Sequence, residues 1–396
     1  MPQPNQIPDH KPRIVIFATK TGGGHWSPAL AIADEISRQT DDGFQIEVID
    51  ALYSRPNSRL TVDYAYSLMI RRYRPLWRVF FYSMNNRVAL GAGMTVLYGM
   101  TRKNLASTLR EGSRPQAVIS TNSIVHAPIT RLLRREYPDV PFVSVVTDPV
   151  KIHKAWVNKP ASLVIAPSEM ACQALIRMGQ PPDVILETGL PISRGFYPAS
   201  QIEKQIIRRE LGLEPGKPTV MIIHGAEGHM NVYRNAKAID NRFGERVRQI
   251  VVCGKNAALK EKMDTAGFGS HVQIFGFSNQ VSKLMRASDI LITKAGALTV
   301  SEGLACGLPI LISQFLPGQE EGIPEWLVEK RAGMPAFTVH SVIDSMAKLV
   351  NTPTLLQEYA ANARALGRPN AAMHAAEAIL KLVERNSSHF VPIRNP

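Results

Sequence analysis

The chain has 396 residues, 45% of them hydrophobic and 20% charged, an ordinary globular composition that is too long for one compact core and implies two domains. Its three cysteines (Cys172, Cys253 and Cys306) lack any paired spacing and suggest neither a disulfide framework nor a zinc site, and no apolar run approaches the roughly 20 residues of a membrane-spanning helix. The net charge of +13 calls for an acidic partner such as nucleic acid, anionic lipid or a phosphorylated substrate.

Residues 1–12 are rich in proline and polar side chains, without the apolar core of a signal peptide, and read as a disordered leader. Residues 13–19 form an apolar run that ends in a glycine loop, as a strand buried on both faces would. A helix is expected after it, capped by Ser27 with Pro28 in its first turn, and with Ala29, Ile32, Ala33 and Ile36 on one face. Further strands are expected at 44–49, 117–121, 142–147, 163–166 and 184–188, separated mostly by helix-length segments. A second series follows at 219–223, 249–253, 272–275, 290–293 and 310–313. This rhythm is α/β, with a first domain over 13–198 and a second over 199–365. Residues 366–396 are left as a helix and tail, and the amphipathic segment 371–384 is expected to return to the first domain.

The chemistry concentrates in the loops. Lys20-Thr-Gly-Gly-Gly-His25 lies between a buried strand and a helix N-terminus, the place where a doubly wound sheet meets its ligand. Its glycines, Gly24 included, admit a substrate to the backbone, and His25 has a proton affinity suited to a general base near neutrality; read alone, the same residues could be a tight turn with an exposed histidine. In the second domain His224-Gly-Ala-Glu-Gly228 occupies an equivalent position, and Gly225, Glu227 and Gly228 could line a diphosphate there or simply turn the chain. Ser278 is expected to cap a helix bearing Val281, Leu284 and Met285. The loop Lys294-Ala-Gly-Ala-Leu-Thr299 is expected to start the next helix at Thr299. Thr299 and Glu302 have capping-box spacing, so Glu302 either reaches back to the backbone or accepts hydrogen bonds from ribose hydroxyls. Pro317-Gly-Gln-Glu-Glu-Gly322 gathers amide and carboxylate groups of the kind sugar hydroxyls need, or forms a solvated acidic turn.

Residues 20–34 (KTGGGHWSPALAIAD), 251–259 (VVCGKNAAL) and above all 276–322 closely resemble the monogalactosyldiacylglycerol synthase family, which includes bacterial processive diacylglycerol glucosyltransferases. The likeness spans most of residues 13–335. It implies a GT-B fold, two Rossmann-like domains facing a cleft, and inverting transfer of a hexose from a UDP-sugar to diacylglycerol. By position it assigns His25 as catalytic base, Asp148 of the Val-Thr-Asp strand end to the acceptor side and Glu302 to the ribose. Gln319 and Glu320 fall to the hexose, and Thr293, Lys294, Gly296 and Thr299 to the nucleotide and diphosphate. The chain departs from the family where GQExGN would continue, reading Gly322-Ile323-Pro324, and where His224, Ala226 and Met230 replace common glycines. No Asp-x-Asp metal motif occurs, so no metal or other cofactor is expected.

Between Arg55 and Arg114 stand 11 Lys/Arg and two acids, interleaved with aromatics. Arg71, Arg72, Arg74, Trp77, Arg78 and Phe81 are expected to meet an anionic membrane and the lipid acceptor, although a buried helical hairpin with solvated arginines would leave the same window; with unpaired cysteines suited to a reducing compartment, the expected seat is the cytoplasm, peripheral on the inner face of the cell membrane. A nucleic-acid-binding module would use a similar basic and aromatic window but leaves GGGH and PGQE without a purpose, so no nucleic acid is expected. A sugar-nucleotide epimerase or hydrolase of the same fold is the nearer rival.

Overall fold

The computed structural model describes residues 11–20, 23–51, 82–83 and 87–386. The first series of elements is β1 (Arg13–Ala18), α1 (Gly23–Gln39), β2 (Gln45–Asp50), α2 (Arg87–Arg110), β3 (Pro115–Ser120), α3 (His126–Glu136), β4 (Phe142–Val145), β5 (Leu163–Ala166), α4 (Glu169–Arg177) and β6 (Ile185–Glu187). Its strands form one parallel sheet in the order β2-β1-β3-β4-β5-β6. The second comprises α5 (Gln201–Glu210), β7 (Thr219–Ile223), α6 (Asn231–Phe243), β8 (Arg248–Val252), α7 (Ala257–Asp264), β9 (Val272–Phe275) and α8 (Val281–Ala287). It continues with β10 (Ile290–Lys294), α9 (Ala297–Ala305), β11 (Ile310–Gln314), α10 (Ile323–Glu329), β12 (Gly333–Pro335), α11 (Val339–Asn351), α12 (Pro353–Leu366) and α13 (Ala371–Asn386). Here the sheet order is β12-β11-β10-β7-β8-β9, the doubly wound arrangement.

Both sheets are covered on both faces, which is why their strands are continuously apolar rather than alternating. Along β1, Ile14, Ile16 and Ala18 join a core with Ala29, Ile32 and Ile36 of α1, while Val15 and Phe17 join the opposite core with Leu105 and Leu109 of α2. β7 divides in the same way, Met221 and Ile223 to one side, Val220 and Ile222 to the other. Ala375, Ala376 and Ile379 of α13 complete the α1 side of the first sheet, and Gln39 Nε2 donates to the Met373 carbonyl at 3.2 Å.

Three local expectations are corrected. α1 begins at Gly23, so Ser27 is no cap and Pro28 lies inside the helix, where it has no N–H to give the Gly24 carbonyl. Ser278 does not cap α8; its hydroxyl accepts from Gln280 N at 3.1 Å in a turn ahead of the helix. α9 starts at Ala297 with Gly296 as its N-cap, so Thr299 and Glu302 form no capping box. The edge strand β12 is short and mixed in character and had no sequence signal. Among the described residues no helix is long and apolar enough to cross a membrane.

Candidate active site

The start of α1 and the loops that follow β3 and β4 in one sheet, and the loops that follow β7, β10 and β11 in the other, stand at the carboxyl ends of the strands beside the two points where strand order reverses. The two halves touch there: a Cβ on Gly23, at the start of α1, would lie 3.4 Å from Leu298 Cδ2 of α9.

His25 lies in the first turn of α1 and is clamped by the end of β3. Its Nδ1 is 2.8 Å from the Thr121 carbonyl and 3.0 Å from Thr147 Oγ1, while Thr121 Oγ1 donates to the His25 carbonyl at 2.8 Å. A carbonyl can only accept, so Nδ1 carries the proton and Nε2 presents a lone pair. Burial lowers the ring's pKa to about 4 against the opposing Thr121 hydrogen bond, which keeps it neutral through the physiological range. A Cβ on Gly24 would meet nothing within 4 Å apart from its own chain neighbours.

Asp148, in the loop after β4, is almost fully buried, and its Oδ2 accepts from the Trp156 indole N–H at 2.6 Å. Its Oδ1 lies 3.5 Å from Gln319 Nε2 of the other domain. Burial raises the carboxyl to about 6, opposed by these two hydrogen bonds. Trp156 is 1% exposed, and its ring centroid lies 6.4 Å from that of His25, so one buried indole backs both groups. The sequence reading missed Thr121, Thr147 and Trp156. A tryptophan in the polar run His153-Lys-Ala-Trp156, shortly after Asp148, was the available signal for the last.

On the facing side, Gly225 (φ +69°) and Gly228 (φ +64°) shape the loop after β7. A Cβ on Gly228 would come within 2.0 Å of the Cys253 carbonyl oxygen, so only glycine lets this turn nest against the loop after β8. Glu227 is exposed at the turn. His224 Nε2 is 2.8 Å from Ser313 Oγ, which donates to the Thr293 carbonyl at 3.2 Å, tying the ends of β7, β11 and β10 together. Lys294 pairs with Glu320 beside Gly296, and Glu320 Oε2 also accepts from Leu316 N at 2.7 Å. Both Glu320 oxygens are thus engaged within the protein, whereas Gln319 reaches across to Asp148. Thr299 and Glu302 lie within α9. Glu302 has no hydrogen-bond partner among the described residues, and burial pushes its carboxyl up to about 8. Arg71, Arg72, Arg74, Trp77, Arg78 and Phe81 lie outside the described residues.

Residues 25–192 match the family described as "Monogalactosyldiacylglycerol (MGDG) synthase", and residues 203–366 match "Glycosyl transferases group 1". The chain is 32% identical over 384 residues to the probable monogalactosyldiacylglycerol synthase 2 of Oryza sativa subsp. japonica, covering 94% of this chain and 81% of the relative. It is 28% identical to monogalactosyldiacylglycerol synthase 3 of Arabidopsis thaliana, over 96% of this chain and 83% of that one. Among solved structures, Acinetobacter baumannii MurG aligns with a TM-score of 0.57 at 17% identity, over 93% of this chain and 99% of its own. Medicago truncatula UGT71G1, complexed with UDP-glucose, aligns with a TM-score of 0.59 at 12% identity, over 95% and 99%. The fold is GT-B. The expected seat in the cytoplasm, on the inner face of the cell membrane, is overturned, because these plant relatives are described as chloroplastic. With a relative at this identity and coverage, the chain belongs to the monogalactosyldiacylglycerol synthase family.

Proposed function

We propose that the protein transfers a hexose from a UDP-sugar to diacylglycerol with inversion at the anomeric carbon, working without a metal at a membrane surface. His25 carries the reading: in a neutral imidazole whose Nδ1–H is fixed by Thr121, Nε2 is the atom left to accept a proton. In the proposed step Nε2 takes the acceptor hydroxyl proton as the oxygen forms its bond to the anomeric carbon. The bond from that carbon to the diphosphate oxygen breaks, and its electron pair leaves with UDP. In the proposed step Asp148, bonded to the indole that backs His25, orients the incoming hydroxyl. The carboxyl of Glu302, which has no hydrogen-bond partner among the described residues, suits the ribose diol, and Gln319 the hexose hydroxyls. N–H groups at the start of α9 and along the Gly225–Gly228 loop meet the leaving charge.

UDP-galactose is the first donor to test, since the relatives are named for a monogalactosyl lipid. The full-length protein is incubated with UDP-galactose or UDP-glucose and diacylglycerol vesicles, and the anomeric configuration of the glycolipid is read by NMR. A β-linked product from the α-linked donor is expected; a retained configuration, or a released or epimerised sugar without glycolipid, would refute the reading.

A further inference from the structure

The loop after β4 and the loop after β11 meet at three neighbouring points across the cleft. Gln319 Nε2 donates to Asp148 Oδ1 at 3.5 Å, a long and therefore weak hydrogen bond. Gly322 packs so closely that a Cβ there would lie 2.8 Å from Val150 Cγ1. Between these, Lys151 Nζ donates to Glu321 Oε2 at 2.8 Å. The Tyr82 hydroxyl hydrogen-bonds both partners, and Lys151 Nζ stands 4.8 Å from the centre of the Tyr82 ring. Burial works against the charge on Glu321, yet its hydrogen bonds from Lys151 and Tyr82 prevail and hold the carboxyl at about 2.

None of these three side chains has a part in the proposed chemistry. Glu321 nevertheless follows directly on Gln319 and Glu320, and Lys151 sits three positions after Asp148. Each end of the ion pair is therefore on the same short loop as a group that must meet substrate. A shift of about 1 Å in such a loop can cost about a hundredfold in rate, so the registry of the two loops is worth fixing.

We propose that Lys151 and Glu321, joined through the Tyr82 hydroxyl, are positioning residues that dock the hexose-reading loop on the acceptor domain and bring Gln319 into register with His25 and Asp148. This rests on the transferase reading above. The test uses full-length Glu321→Gln, Lys151→Met and the charge-exchanged double variant Lys151→Glu/Glu321→Lys. Each single variant is expected to lower kcat about tenfold and leave the UDP dissociation constant within about twofold, because the nucleotide contacts lie elsewhere. The double variant is expected to recover kcat to within about threefold of the parent. Hydrogen exchange at the amides of residues 318–322 in the UDP-bound protein, which needs no turnover, is expected to quicken in the single variants and slow again in the double. Unchanged exchange and kcat in both single variants would overturn the inference, as would a double variant as impaired as the two singles combined. A parent protein that makes no glycolipid would sink the transferase reading instead, and the exchange measurement would still judge the docking.

Discussion

Glu302 gives the sharpest test of the donor site. Burial holds its carboxyl at about 8, and no described side chain offers it a hydrogen bond, so at pH 7 only about a tenth of the ligand-free protein carries it ionised. A ribose diol donates two hydrogen bonds, which an ionised carboxylate accepts better than a protonated one. Donor binding should therefore expel a proton: affinity should rise about tenfold per pH unit up to about pH 8 and level off above it. The fall toward low pH is bounded where the bound-state pKa is reached. UDP-hexose is the proper ligand, because its diphosphate diester has no group that titrates in this range. Isothermal titration in two buffers of different ionisation enthalpy reports both affinity and protons released. Glu302→Gln should bind more weakly at pH 8 and lose the slope. A flat profile in the parent protein, or the same slope in the Gln variant, would refute the reasoning. The raised carboxyl pKa also favours the folded state most at low pH and loses that advantage as pH climbs toward 8, so Glu302→Gln should be relatively more heat-stable in alkaline buffer.

His25→Ala should lower turnover by about 10² to 10⁴ at saturating substrates while UDP affinity persists; near-normal turnover would remove His25 from the chemistry. Because His25 stays neutral down to about pH 4, the acid limb of turnover should instead lie near pH 6, where the raised Asp148 carboxyl takes up its proton, and Asp148→Asn should abolish that limb. Trp156→Phe deletes the 2.6 Å hydrogen bond that favours ionised Asp148 and should move the same limb upward by about one pH unit; an unmoved limb would show that the indole only fills space. Gly24→Ala and Gly228→Ala should part company in a thermal melt. The first keeps or gains stability, since its Cβ meets open space within a helix, but slows turnover by crowding the substrate, whereas the second melts markedly lower because its Cβ strikes the Cys253 carbonyl. Equal melting temperatures would refute the pairing.

The strands were legible because a parallel sheet buried on both faces leaves a continuous apolar signature, as in RIVIFA of β1 and TVMII of β7. Helix starts were less so, and for a physical reason. Ser27-Pro28 has the residue types of a cap and first turn, yet α1 begins four residues earlier, where Thr121, 96 positions away, grips the carbonyl and ring of His25. Thr299 and Glu302 have the spacing of a capping box, but Gly296 already turns the chain into α9, so the Glu302 carboxyl is not spent on a cap. At α1 a local signal lost to a long-range arrangement and at α9 to the turn just before it, and both are candidate substrate contacts. The glycine loops and His25 could be found in sequence because their chemistry is written in consecutive residues.

What joins them could not be found that way. Asp148 and Gln319 stand 171 positions apart, and Lys151 and Glu321 170 apart, so no window of sequence contains either pair. Each pair brings together the two sheets' loops, so it exists only once both domains have folded and met. A site assembled at such a junction depends on domain packing for its geometry. Its sensitivity to substitution should follow the cross-cleft contacts more closely than the stability of either sheet, since a loop can lose its partner across the cleft while the strands beneath it remain buried on both faces.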